Sequence, residues 1–93
     1  MIRSFADKQT ERLFMRETVR TLDPQIQRNA LIKLWLLDAA DTLQDLRIPP
    51  GNHLEALHGD RTGQHSIRIN KKWRICFTWT KAGPTEVEIT DYH

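Results

Sequence analysis

The stretch Trp73–Thr80, WRICFTWT, decides the fold class of this chain. Large apolar side chains occupy every second position, and Arg74, Cys76 and Thr78 stand between them. This period of two is typical of a β-strand with one buried face, because successive side chains of a strand point to opposite sides of the sheet. An arginine within so strongly patterned a strand is either simply solvent-facing or functional.

The segments around this stretch extend the period-two pattern. They predict three further short strands, at Leu54–Leu57, Gln64–Asn70 and about Thr85–Tyr92. Turn-forming residues separate the strands at Gly59–Gly63, Asn70–Lys72 and Ala82–Pro84. Because these connections are short, the sequence predicts an antiparallel meander in which Arg68 is a cross-strand neighbour of Arg74.

The N-terminal half of the chain follows a helical period instead. Asp7 can cap a helix over about Lys8–Glu17, with Leu13 and Phe14 on its buried edge. Asp23 and Pro24 are favoured first residues of a second helix, predicted over Pro24–Ala40. The last turns of this helix are apolar almost all round, which predicts that they are sandwiched between the sheet and the first helix.

Two shorter segments complete the predicted order βααββββ. Met1–Phe5 alternates apolar and polar residues as a strand would, and Asp41–Leu46 can add a helical turn before the Pro49-Pro50-Gly51 loop. We expect an α+β fold in which two N-terminal helices pack on one face of a small twisted, mostly antiparallel sheet.

Size and composition restrict the function. A chain of 93 residues with 39% hydrophobic residues is expected to form one domain, 1–93, without a deep cofactor cavity. Its one cysteine, Cys76, allows no internal disulfide, and no Cys/His spacing indicates a zinc site. No apolar run approaches the ~20 residues needed to cross a bilayer. We therefore expect a soluble cytoplasmic protein with no metal, no cofactor and no membrane contact.

The net charge of +2 conceals an uneven distribution. The segment Arg61–Lys81 contains six basic residues and no acidic one: Arg61, Arg68, Lys71, Lys72, Arg74 and Lys81. A segment of this kind can be solvated surface, or it can attract a phosphate backbone. Guanidinium groups suit phosphate because they donate two parallel hydrogen bonds and keep their charge.

The four histidines lie in the same half of the chain, and each can be an ordinary surface or turn residue. His58 stands beside the Gly59-Asp60-Arg61 turn. The terminal His93 has no functional role if the chain end frays. If the last strand stays regular to its end, Asp91 and His93 instead lie on the same face as Val87 and Ile89. An arginine, a histidine and a carboxylate or phenol suffice for metal-free RNA cleavage by a neighbouring 2′-hydroxyl.

Several motifs together resemble the HigB toxins of bacterial type II toxin–antitoxin systems, in the RelE/ParE superfamily. The resemblance spans the chain and rests on LEALHGDR at Leu54–Arg61, GQHSIRIN at Gly63–Asn70, WRICF at Trp73–Phe77 and the terminal Asp91-Tyr92-His93. Met1–Phe5 and the helix end Leu37–Ala40 are similar as well.

The resemblance implies a ribosome-dependent mRNA endoribonuclease that acts in the ribosomal A site. By position, the implied catalytic residues are Arg74 as the phosphate-binding cation, Asp91, Tyr92 and His93, with His93 as the proton-transfer group. Implied backbone contacts are Arg68 and Lys72, and the neighbouring Arg61 and Lys71 are candidate RNA-binding residues by charge. Some members of the superfamily act on gyrase instead of mRNA. The terminal His93 favours the nuclease function for this chain.

Two positions depart from the family pattern. Glu55 stands where some HigB proteins have histidine, and His58 stands where they have lysine. Glu55 can replace that histidine as a base, or the function is missing and cleavage is slow. The alternatives are therefore a toxin that binds the ribosome or its precursors with weak or no cleavage, and a subunit whose main role is operon co-repression.

The resemblance also implies a partner, a HigA-type helix-turn-helix antitoxin through which the toxin reaches operator DNA only indirectly. From the charge of Arg61–Lys81 we expect the antitoxin to dock there with an acidic or apolar surface. It can inactivate the toxin by covering this face or by making it too large for the A site, and the sequence does not choose between them.

Overall fold

The computed structural model describes residues 1–91, and Tyr92 and His93 lie outside the described residues. Two helices, α1 (Lys8–Phe14) and α2 (Pro24–Ala39), precede four strands: β1 (Glu55–Ala56), β2 (His65–Arg68), β3 (Arg74–Thr80) and β4 (Gly83–Thr90). Short 3₁₀ helices cover Leu43–Arg47, Pro50–Asn52 and Gly59–Arg61. The α+β fold class predicted from the sequence is confirmed.

The four strands form one antiparallel sheet in the order β1-β2-β3-β4. The N-terminal residues, predicted as a strand, lie beside β4 through a single parallel bridge between Phe5 and Val87 and through backbone hydrogen bonds. Arg3 N donates to Pro84 O at 2.8 Å, and Ala6 N donates to Val87 O at 2.9 Å. The N-terminus therefore extends the sheet without forming a regular strand.

The core lies between the helices and one face of the sheet. Leu34 and Leu37 of α2 and Ile75 and Phe77 of β3 are fully buried in one cluster. Asp7 caps α1 by accepting from Thr10 N at 2.7 Å, and Asp23 caps α2 by accepting from Gln25 N at 2.7 Å. Both predicted caps are thus observed.

Helix boundaries differ from the prediction at two places. α1 ends at Phe14 rather than Glu17, because Arg16 adopts a left-handed φ of 66° that reverses the chain. The turn expected over Asp41–Leu46 is the 3₁₀ helix Leu43–Arg47, which Thr42 and Asp45 begin with reciprocal capping bonds.

The prediction that the end of α2 is sandwiched is wrong. Ile32 is 48% exposed and Trp35 is 42% exposed, although Ala30, Leu34 and Leu37 are fully buried. A helix turns about 100° per residue, so Ile32 and Trp35 project from the side opposite the buried stripe. α2 therefore has a second apolar face that the rest of the described chain leaves partly exposed.

Thr10 connects α1 to the end of β4. It is buried, and its Oγ1 accepts a hydrogen bond from Ile89 N at 3.0 Å. Thr10→Val keeps the shape of the side chain and leaves this N–H without its acceptor, so we expect the free energy of unfolding to fall by about 1–3 kcal/mol. Urea denaturation measures the change. Thr21→Val, which removes an exposed hydroxyl, is the control; equal losses in the two variants contradict this role.

Candidate functional site

The sheet register gathers the polar side chains of the strands on the face opposite the core. One row across the sheet pairs Glu55 with Ser66, Ser66 with Cys76 and Cys76 with Glu88. The next row pairs Arg68 with Arg74 and Arg74 with Thr90. We call these two rows, listed as Glu55, Ser66, Arg68, Arg74, Cys76, Glu88 and Thr90, the polar sheet face.

Arg68 and Arg74 lie directly opposite each other, as the alternation of β3 predicted. Like charges at such positions repel. Here both guanidinium groups donate to one carbonyl, since Arg68 Nε is 3.1 Å and Arg74 Nη1 is 2.6 Å from Asn70 O. Within residues 1–91 neither arginine has a carboxylate at ion-pair distance. The pair therefore presents a concentrated positive charge suited to an anion such as phosphate.

Asn70 shapes the turn between β2 and β3. Its Oδ1 accepts from Lys72 N at 2.8 Å and from Trp73 N at 2.7 Å, while its carbonyl holds the two arginines. The sequence marked Asn70 only as a turn residue. Its second role, as acceptor for both guanidinium groups, becomes visible only in the folded chain.

Lys72 and Asp91 lie at the same end of the sheet. Lys72 Nζ is 3.8 Å from Asp91 Oδ2 and 5.5 Å from the centre of the Trp73 ring. β4 ends at Thr90, so Asp91 does not continue the strand and is exposed. An exposed pair at this separation contributes at most about 1 kcal/mol, so Lys72 can exchange its carboxylate for a phosphate at little cost.

Arg61 is held at the polar sheet face by its bond to Glu88. Its Nη1 donates to Glu88 Oε1 at 2.8 Å and to Gln64 Oε1 at 3.0 Å, and the side chains of Arg61 and Glu88 are 28% and 27% exposed. An RNA contact by Arg61 stays a prediction. Glu88 could not be recognised from the sequence, because its pairing with Arg61 depends on the register of strands distant in sequence.

Cys76 is fully buried on the polar sheet face, as is its cross-strand neighbour Ser66. The pattern of β3 predicted one buried face, and Cys76 is buried on the other face as well, opposite Glu88 in the sheet. Burial raises the pKa of the Cys76 thiol to about 11, with nearby Arg61 and Arg74 opposing and Glu88 and Glu55 reinforcing the shift. The thiol is therefore neutral near pH 7 and is a poor nucleophile.

This shift predicts a loss of stability in alkali. The pKa of Cys76 rises from 9.0 to about 11 on folding, so its contribution is fully present below pH 9 and is lost as the pH approaches 11. Two units correspond to about 2–3 kcal/mol. We expect the unfolding free energy of the native chain to fall more steeply between pH 9 and 11 than that of Cys76→Ala. Parallel pH profiles of the two proteins contradict this expectation.

Glu55 and His58 lie away from the arginine pair. Neighbouring strands are about 4.8 Å apart and residues rise about 3.4 Å along a strand, so the Cα atoms of Glu55 and Arg74 are separated by roughly 12 Å. Glu55 is exposed on the edge strand β1. His58 is exposed just before the 3₁₀ helix Gly59–Arg61. Lys71 is exposed in the turn after Asn70.

The described residues thus bring together Arg68, Lys72, Arg74 and Asp91, and they leave Glu55 and His58 at a distance. Tyr92 and His93, which follow Asp91 in the chain, lie outside the described residues. In the described part of the chain, no group of three His, Cys, Asp or Glu side chains is placed to hold a metal ion. Among the same residues, no helix combines the length and apolar character needed to span a membrane.

Comparison with known proteins identifies the family of this chain. Residues 3–93 match the HigB-like toxin family, described as the RelE-like toxin of type II toxin–antitoxin system HigB. The chain belongs to the HigB-like toxin family. This membership means that it is the toxin of a type II toxin–antitoxin system, with an antitoxin as its partner.

Two relatives of this HigB-like toxin are similar over different lengths. Toxin HigB-1 of Vibrio cholerae serotype O1 is 45% identical over 80 residues, which cover 85% of this chain and 84% of the relative. An uncharacterized protein of Haemophilus influenzae is 40% identical over 47 residues, which cover 50% of this chain and 46% of the relative. The resemblance predicted from the sequence motifs is confirmed.

Proposed function

We propose that this HigB-like toxin cleaves ribosome-bound mRNA as a metal-independent endoribonuclease. The observation that supports this most strongly is the pair of arginines at one end of the polar sheet face. Arg68 and Arg74 both donate to Asn70 O and have no carboxylate partner among residues 1–91. Two fixed, uncompensated guanidinium groups beside Lys72 and Asp91 form a binding site for the scissile phosphate and its neighbours.

The proposed reaction needs no external nucleophile. The 2′-oxygen of the mRNA forms a bond to the adjacent phosphorus while the bond from phosphorus to the 5′-oxygen breaks. A base accepts the proton of the 2′-hydroxyl, and an acid supplies one to the leaving 5′-oxygen. The products are a 2′,3′-cyclic phosphate and a 5′-hydroxyl. The chain contributes the proton transfers and a cation for the negative charge that develops on the phosphorane.

Each candidate residue has a role in this proposal. Arg74 binds the phosphate and stabilises the transition state, because Asn70 O holds its guanidinium group beside that of Arg68. His93 transfers a proton, and Asp91 and Tyr92 act beside it at the chain end. The remaining candidates contact the RNA backbone through their charge: Arg61, Arg68, Lys71 and Lys72. Glu55 and His58 are additional candidates for a proton-transfer role.

The proposal also assigns partners and a place of action. The toxin enters the ribosomal A site, which supplies the mRNA in an accessible conformation, and it therefore acts in the cytoplasm. A HigA-type helix-turn-helix antitoxin silences it and provides its only link to operator DNA. Residues 1–93 form a single toxin domain in this account, and no cofactor takes part.

Primer extension on a defined mRNA tests the ribosome requirement. We expect the purified toxin to produce discrete cleavages on mRNA in programmed ribosomes and none on the same mRNA alone. Cleavage of free mRNA at the same sites with equal rate contradicts a ribosome-dependent mechanism. Inhibition of translation without any cleavage contradicts the nuclease proposal.

A second candidate function is a toxin that binds the ribosome or its precursors with weak or no cleavage, and that acts with the antitoxin in co-repression. The position of Glu55 favours it. Glu55 stands at the position of the family histidine, and its Cα atom lies roughly 12 Å from the Cα atom of Arg74. Ribosome sedimentation separates the two functions, because this alternative predicts toxin bound to ribosomal particles on which the mRNA is intact.

A further inference from the structure

The outer face of α2 combines apolar exposure with a groove. Ile32 and Trp35 are 48% and 42% exposed and stand three residues apart, so they are neighbours on the helix surface. A groove of about 340 Å³ runs beside Trp35, with Leu13 and Leu31 among its lining residues. A surface helix normally exposes polar residues opposite its buried stripe. An apolar face at this position is typical of a binding surface.

The wall of the groove is held firmly in place. Gln27 of α2 accepts from Val19 N at 3.2 Å and donates to Val19 O at 2.7 Å and to Leu22 O at 2.6 Å. These three bonds fix the α1–α2 connection against α2. The left-handed backbone of Arg16 then places its guanidinium 5.0 Å from the centre of the Trp35 ring. The groove is therefore formed before any partner arrives.

The charges around the groove indicate what binds there. Arg16 and Arg28 line it together with a single acidic residue, Glu17. Within the part of the chain that the structure describes, no carboxylate lies at ion-pair distance from either arginine. An apolar groove with uncompensated arginines on its rim is complementary to an amphipathic segment that carries acidic residues beside its apolar anchors.

We propose that this groove, lined by Arg16, Arg28, Leu31 and Trp35, forms together with the adjacent Ile32 the docking site for an acidic amphipathic helix of the antitoxin. A second copy of this chain fits less well, because a twofold contact through the same surface brings Arg16 and Arg28 of both copies together. The inference rests on membership of a toxin–antitoxin family and does not depend on the nuclease chemistry.

The location of the groove determines how the antitoxin acts. α2 packs on the core side of the sheet, whereas Arg74 lies on the opposite, polar sheet face. An antitoxin in the groove leaves the arginine pair open; where the toxin acts in the ribosomal A site, a step that rests on the proposed function, the antitoxin silences it by adding bulk that the A site cannot accept. This places the partner on the helices rather than on the basic segment Arg61–Lys81.

Binding to the antitoxin encoded with this toxin tests the site. In an Arg74→Ala background, which permits production of the toxin and removes the nuclease question, the dissociation constant is measured by calorimetry. We expect Trp35→Glu to weaken binding at least about 30-fold, as for a central aromatic contact. We expect Arg28→Glu to weaken it about tenfold. Ile48→Asp, at an apolar residue that is 76% exposed elsewhere, is the matched control and is expected to bind normally.

Several results would overturn the proposal. The first is an unchanged antitoxin affinity of both groove variants. The second is an antitoxin affinity that is weakened only by Arg68→Glu and Lys72→Glu, because that result puts the antitoxin on the polar sheet face. A groove variant that converts a dimer of the isolated toxin into a monomer while antitoxin affinity is unchanged assigns the groove to a second copy. Thermal unfolding shows whether Trp35→Glu is folded; if it is not, Arg28→Glu decides, because this arginine is exposed.

Discussion

Replacing Arg74 by alanine is expected to abolish growth arrest and to lower mRNA cleavage by at least about 10²–10³, the usual effect of removing a group that stabilises transition-state charge. The guanidinium is held by Asn70 O at 2.6 Å and faces its cross-strand neighbour Arg68. Alanine removes the cation and its directed donors together. Arg74→Lys retains the charge without the planar fork, so we expect an intermediate rate. Single-turnover cleavage on programmed ribosomes measures both variants.

Lys81 supplies a matched control for this experiment. It belongs to the same basic segment but is exposed in the turn between β3 and β4, beyond the strand end opposite Arg74. We expect Lys81→Ala to cleave at the native rate. Equal losses in Lys81→Ala and Arg74→Ala show that only the overall charge matters. Full activity of a folded Arg74→Ala removes this arginine from the mechanism.

Replacing His93 by glutamine is expected to lower cleavage by about 10²–10⁴ while ribosome binding is retained, because a positioned acid or base contributes a factor of this size. Glutamine keeps hydrogen-bonding capacity and cannot take up the proton. The measurement is the cleavage rate at saturating toxin, with toxin–ribosome affinity determined separately. An unchanged rate shows that the proton is transferred elsewhere.

His53 and Glu55 make this second result interpretable. His53 is exposed in the loop after the 3₁₀ helix Pro50–Asn52, so His53→Gln is expected to have no effect. Glu55→Gln reveals whether the carboxylate replaces the family histidine. A loss comparable to that of His93→Gln identifies Glu55 as the second proton-transfer group, and native activity excludes Glu55 and leaves His58 as the remaining additional candidate.

Most of the fold could be predicted from the strand pattern and the helix caps. β3 is so regular in its alternation that the position of Arg74 opposite Arg68 followed from the sequence once a short turn joined the two strands. Asp7 and Asp23 act locally, through bonds to an amide two or three residues away, and for this reason they could be recognised without the fold. Boundaries were less accurate because Arg16 ends α1 through a backbone conformation that its residue type does not favour.

The parts of the site that escaped prediction depend on contacts between distant segments. The pair of Arg61 and Glu88 joins residues 27 positions apart, so no local sequence pattern could indicate it. In α2, residues with equal hydrophobicity occupy both the buried and the exposed side, so composition could not show that Trp35 lies outside the core. The Arg61–Glu88 pair and the exposed Trp35 both lie on surfaces with proposed binding roles.

The chemistry of the cleaved ends tests the central claim most directly. Purified toxin is added to ribosomes stalled on a defined mRNA, and the two new termini are analysed by mass spectrometry. Attack by the 2′-oxygen predicts a 2′,3′-cyclic phosphate, or the 3′-phosphate or 2′-phosphate that forms when it opens, on the upstream fragment and a 5′-hydroxyl on the downstream one, and it predicts that neither forms with Arg74→Ala. A 5′-phosphate on the downstream fragment, or intact mRNA under conditions in which the toxin blocks translation, would contradict the account.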